Sequence, residues 1–123
     1  MQTDPIRSGL DPEIGATRAC ESGLELELRV PEQLDVWPWH FPDYLVVPGV
    51  LQLDWIVRIA VRELGVGRLL GAENLKFKTP MRPGQRLTLT LTLAADRRAL
   101  GFRMADGDVV YSTGKLAVEP GPP

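Results

Sequence analysis

One segment of this chain dictates what the rest must do. Between Val50 and Leu64, VLQLDWIVRIAVREL, ten of the fifteen residues are apolar. At about 100° per residue they cover most of a helix's circumference. A helix that is apolar nearly all round cannot lie on a surface, so the remaining elements must enclose it. Its polar exceptions include Asp54, Arg58 and Arg62, at i, i+4 and i+8, which form one narrow stripe. Pro48-Gly49 marks the start, and Gly65 and Gly67 are stop signals.

The enclosing material reads as strands. Leu24, Leu26, Leu28 and Val30 alternate with Glu25, Glu27 and Arg29, the period-two pattern of a half-buried strand. RLTLTLTLA, residues 86–94, alternates Leu and Thr in the same way. ENLKFKT sets Leu75 and Phe77 on one face, and Asp106-Gly107 marks a tight hairpin between ALGFRMA and VVYSTGKLAV. The expected fold class is therefore α+β, an antiparallel sheet of about five strands wrapped around one central helix. At 123 residues the chain has the size of a single domain. Residues 23–118 are expected to form it, with residues 1–22 as a flexible arm and 119–123 as a frayed tail. The free sheet edges call for cover, and an edge-strand dimer would supply it.

Composition removes several classes of function. Fourteen basic and sixteen acidic residues give a net charge of -2, which disfavours a nucleic-acid partner. No apolar run is long enough to span a bilayer, and the N-terminus lacks an apolar signal region, so the expected address is cytoplasmic, away from membranes. The single cysteine, Cys20, can form neither an internal disulfide nor a thiolate zinc site and reads as incidental. The single histidine, His40, must carry any imidazole chemistry.

His40 lies in PEQLDVWPWHFPDYLVVP, residues 31–48, whose four prolines preclude a continuous helix. A long stiffened loop of this kind is often functional. From it the chain runs His40-Phe41-Pro42, then Pro48-Gly49-Val50, then Asp54, the acid standing fourteen positions after the histidine. This pattern resembles the β-hydroxyacyl-[acyl-carrier-protein] dehydratases of the hotdog fold, whose motif is His-Phe-Pro-Gly-x-Pro-x-x-Pro-Gly-Val-x-x-x-Glu/Asp. Residues 75–80, Leu-Lys-Phe-Lys-Thr-Pro, with Pro83-Gly84-Gln85, resemble the family's later strand and turn. The resemblance spans about residues 24–118, and Gln52-Leu53-Asp54-Trp55 looks closest to the dehydratase-like proteins of aryl-polyene clusters.

The residues make chemical sense of that likeness. Removing water from a 3-hydroxyacyl thioester needs a base for the Cα proton, an acid for the leaving hydroxyl, and stabilisation of enolate charge. Neutral imidazole suits the first task near pH 7, so His40 is the candidate base. Asp54 is the candidate acid, directly or through a water. The Gly49 N–H, at the positive end of the core helix, is the candidate donor to the thioester oxygen. Trp39, Phe41 and Trp55 are candidates to line an acyl tunnel, against the plainer reading that they fill core or interface. Lys76, Lys78 and Arg82 are candidates to dock an acidic carrier protein, against a plain solvated sheet face.

The resemblance further implies a homodimer, extensible to a higher oligomer, in which His40 of one subunit faces Asp54 of the other. It also implies an acyl-carrier-protein or coenzyme A thioester as substrate, and no metal or bound cofactor. Three departures matter. Asp43 and Leu45 replace the family's Gly and Pro beside the histidine, and Arg58 stands one turn beyond the acid, where a pair with Asp54 would favour the carboxylate. The alternatives are a hotdog acyl-thioesterase, or a catalytically weakened subunit that binds a carrier protein or a catalytic partner.

Overall fold

The computed structural model describes residues 11–32 and 46–122. The order is β1 (Glu13–Cys20), β2 (Gly23–Arg29), α1 (Gly49–Leu64), β3 (Leu69–Phe77), β4 (Arg86–Leu93), β5 (Ala99–Asp106) and β6 (Val109–Val118). The strands form one antiparallel sheet in the order β1-β2-β4-β5-β6-β3.

Alternation along the strands becomes continuous rows across the sheet. Leu24, Leu26 and Leu28 of β2 sit opposite Leu91, Leu89 and Leu87 of β4. Leu89 and Leu91 in turn face Met104 and Phe102 of β5. These side chains are buried, while the Thr and charged residues between them point the other way. Against this apolar surface α1 lays Gln52, Trp55, Ile56, Ile59 and Ala60. Burial of each large apolar side chain among them stabilises the fold by roughly 1.5–3 kcal/mol. Gly114 makes room in the inner row, since a Cβ there would lie 2.6 Å from Leu75 and 2.7 Å from Phe102.

The helix begins at Pro48, extended at φ -60° and ψ 148°, and ends at Gly65 in the left-handed region at φ 71°. Both fit the expected start and stop. The β5–β6 hairpin turns through Gly107 at φ 58°.

Two expected boundaries are corrected. Residues 13–20, assigned to a flexible arm, form β1 and give the sheet a sixth strand. β1 is exposed along its whole length, so no apolar alternation betrays it; its backbone pairing with β2 holds it. Nor is the start of the tail frayed. The Glu119 carbonyl accepts from Gly67 N–H at 2.7 Å, and the Glu119 N–H donates to the Arg68 carbonyl at 2.9 Å. Among the described residues, no helix is long and apolar enough to cross a membrane.

Candidate active site

The candidate site forms where α1 starts. Val47 is tied to the turn after β3 by its N–H, which donates to the Met81 carbonyl at 2.7 Å. This bond fixes the distance between the chain entering the helix and the Phe77–Met81 segment. Between them opens a cleft of about 350 Å³, lined among others by Pro48, Gly49, Gln52, Phe77, Lys78 and Thr79.

The first helical turn supplies its polar wall. Leu51 and Gln52 both donate their N–H to the Pro48 carbonyl, at 3.0 and 3.1 Å. The N–H groups of Gly49 and Val50 have no partner among the described residues, as expected of the first positions of a helix. No acidic side chain occupies the first turn, so nothing there offsets the positive end of the dipole. Of these two, Gly49 lines the cleft, and an unpaired donor at a positive helix end can stabilise a negative oxygen. Exposed Lys78 adds a cation at the rim.

Gly49 leaves room for a neighbouring ring. A Cβ on it would stand 2.8 Å from Cζ of Phe77, so the ring lies directly over the helix start. Phe77 is nevertheless 47% exposed, at the open edge of the sheet. Sequence periodicity assigned Phe77 to a strand face and gave no sign of a place at the site. Its proximity to Gly49 joins residues 28 positions apart and appears only in three dimensions.

Asp54 does not share this cleft. It lies two residues after Gln52, about 200° around the helix. Gln52 is buried against the sheet, whereas Asp54 is half-buried on the outer side and absent from the cleft's described lining. Arg58 Nη1 approaches Asp54 to 3.8 Å but pairs more closely with Asp11, at 2.5 Å. An Asp54–Arg58 contact therefore exists, with the guanidinium shared between Asp54 and Asp11. Trp55 is 1% exposed in the core and lies outside the cleft's described lining. Lys76, Lys78 and Arg82 are all exposed near the end of β3. His40, Trp39 and Phe41, with the departures Asp43 and Leu45, fall outside the described residues.

A larger cleft, of about 450 Å³, opens beside β1. It is walled by charged residues such as Glu13, Glu27, Arg29 and Arg86, at the sheet edge opposite β3. It holds none of the motif residues, and size alone does not make it the reactive site.

Known proteins match this chain in sequence and in shape. The model of the ApeI-like family, described as ApeI dehydratase, matches residues 16–115. A 3-hydroxyacyl-[acyl-carrier-protein] dehydratase FabZ from Bacillus cereus (strain AH820) is 35% identical over 86 residues, 60% of either chain. That from Bacillus velezensis is 32% identical over 88 residues, 62% of either chain. The chain thus spans about 60% of the length of the curated relatives it matches. Among solved structures, the dehydratase heterocomplex ApeI:P from Xenorhabdus doucetiae aligns with a TM-score of 0.77 and 26% identity, covering 88% of this chain and 97% of that one. An uncharacterised protein from Erwinia carotovora subsp. atroseptica aligns with a TM-score of 0.72 and 29% identity, over 89% and 96%. The sheet-and-helix architecture is the hotdog fold of the dehydratase neighbour.

Proposed function

Because the chain belongs to the ApeI-like dehydratase family, we propose that it is a hydro-lyase that reversibly converts a 3-hydroxyacyl thioester into the 2-enoyl thioester and water. The observation that carries this reading is the cleft at the start of α1, which Gly49 lines at a positive helix end, its N–H without a partner among the described residues. The thioester oxygen accepts from Gly49 N–H and takes up charge as His40 removes the Cα proton. The electron pair returns to form the Cα–Cβ double bond as the Cβ–O bond breaks. Asp54 gives its proton to the departing hydroxyl, which leaves as water.

The separation of Gln52 and Asp54 around the helix supports a shared site, with Asp54 serving the cleft of a second hotdog subunit. The exposed Leu69, Leu70 and Phe77 on the open β3 edge supply a surface for pairing into a homodimer. An unlike hotdog subunit is the second reading, favoured by the heterocomplex named for the structural neighbour. The acyl group would arrive on an acyl carrier protein or coenzyme A, with Lys76, Lys78 and Arg82 meeting an acidic carrier. Trp39 and Phe41 would line the acyl path. The reaction needs no metal or bound cofactor, and the cytoplasm is its expected setting.

The test is hydration of crotonyl-CoA, followed by loss of enoyl absorbance, beside a longer or aryl enoyl-carrier-protein. Wild type should turn over at least one of them. His40→Ala and Asp54→Asn should each lose about a hundredfold or more with assembly intact. Free thiol released in place of hydration would identify a thioesterase instead. Silence of the isolated chain on every substrate, with activity restored by an unlike hotdog partner, would establish the second reading.

A further inference from the structure

Two buried side-chain atoms lack a hydrogen-bond partner among the described residues, Gln52 Oε1 and Ser112 Oγ. Only Gln52 lines the cleft at the start of α1. Gln52 is 3% exposed, and its Nε2 donates to the Val47 carbonyl at 3.2 Å. A carbonyl can only accept, so the amide must present its nitrogen to Val47, and the orientation of Oε1 follows. The result is a buried acceptor without a donor, on a residue that lines a cleft whose other lining residues Phe77, Lys78 and Pro80 are exposed. A buried acceptor left unpaired is unfavourable, and a ligand that supplies the missing donor recovers that loss.

We infer that Gln52 Oε1 receives the hydrogen bond of the substrate's 3-hydroxyl, making Gln52 a specificity-determining residue. The inference rests on the dehydratase reading and deepens it. With the thioester oxygen at Gly49 N–H, the carrier arm runs outward to solvent and the acyl chain runs inward. The donor that defines a 3-hydroxyacyl chain is its hydroxyl, and it belongs to the inward part. The interaction turns the hydroxyl hydrogen toward Gln52 and leaves an oxygen lone pair for the proton that converts the group to water. A saturated acyl thioester leaves Oε1 unpaired and is rejected.

Binding of two analogues without a Cα proton tests this, because neither can eliminate water. They are 2,2-difluoro-3-hydroxyacyl-CoA and the matching 2,2-difluoroacyl-CoA, measured by calorimetry. Wild type should bind the hydroxyl analogue about ten- to a hundredfold more tightly. Gln52→Met, of similar length and without a strong acceptor, should abolish that preference while retaining affinity for the deoxy analogue. Gln52→Leu serves if the methionine variant does not fold. Equal binding of both analogues by wild type overturns the inference and spares the dehydratase reading. So does a parallel loss of both affinities in the variant, which would limit Gln52 to holding Val47. Failure of wild type to bind either analogue, coupled with no enoyl hydration alone or beside an unlike hotdog partner, sinks the dehydratase reading itself.

Discussion

The ring of Phe77 lies over Gly49, so close that a Cβ on the glycine would stand 2.8 Å from Cζ. This contact couples the open sheet edge to the first N–H of the core helix. The ring takes up the space that glycine leaves.

Gly49→Ala separates these demands. Alanine is favoured over glycine in a helix by up to about 1 kcal/mol, and the ring's far end can swing away because Phe77 is half exposed. Thermal stability should therefore change by only a few degrees at most. Turnover should fall about tenfold or more, since the displaced ring or the new methyl obstructs the N–H. Adding Phe77→Ala decides which obstruction acts: recovered turnover implicates the ring, and continued loss implicates the methyl. Unchanged turnover in Gly49→Ala alone would remove Gly49 from the site.

Arg97 predicts a stability effect at the opposite end of the helix. Its Nη2 donates to the Leu64 carbonyl at 2.7 Å and its Nε to the Pro120 carbonyl at 3.1 Å, joining the last helical residue to the tail. The cation also sits where the helix dipole is negative. Arg97 itself adopts φ 61°, which costs a non-glycine residue roughly 1–2 kcal/mol. Arg97→Ala loses the clasp and keeps the strain, and should destabilise by about 1–2 kcal/mol in urea unfolding. Arg97→Gly loses the clasp and relieves the strain, and should lie close to wild type. Equal losses in both variants would contradict this division.

The sequence made the core legible because burial leaves a periodic trace. Leu24 to Val30, Leu87 to Leu93 and the apolar circumference of Val50–Leu64 each announce their element, and the structure buries their apolar sides together. β1 left no trace, because a fully exposed strand has no apolar face to repeat and is held by backbone bonds that every residue can make. The site was legible to the same limited degree. Gly49 announced itself through Pro48-Gly49 at a helix start. Phe77 and the orphaned oxygen of Gln52 did not, since a contact across the fold and an unmet hydrogen bond have no sequence period. Trp55 shows the converse: a large aromatic beside a candidate acid invites a tunnel role, while the helix turns it into the core.

Glu119 yields a prediction in pH. Its Oε1 accepts from Arg68 N–H at 3.2 Å and its Oε2 from Arg68 Nη2 at 3.1 Å. The side-chain bond from Arg68 first, and then the backbone bond, hold the Glu119 carboxyl below the ordinary glutamate range. A carboxyl lowered in the folded state favours its ionised form there. The linked stabilisation is thus present above the unfolded-state value, about pH 4.3, and is lost as pH falls through the lower folded value. Carboxyl-carbon NMR should show Glu119 titrating below the ordinary glutamate range. Arg68→Gln should return its midpoint to that range and weaken protection of the Gly67 and Glu119 amides against hydrogen exchange. A wild-type Glu119 that titrates within the ordinary range, or a midpoint unmoved by Arg68→Gln, would show that Arg68 does not hold the tail. The tail would then rest on the backbone bonds of Gly67 and Glu119 and on the Arg97 contact to Pro120.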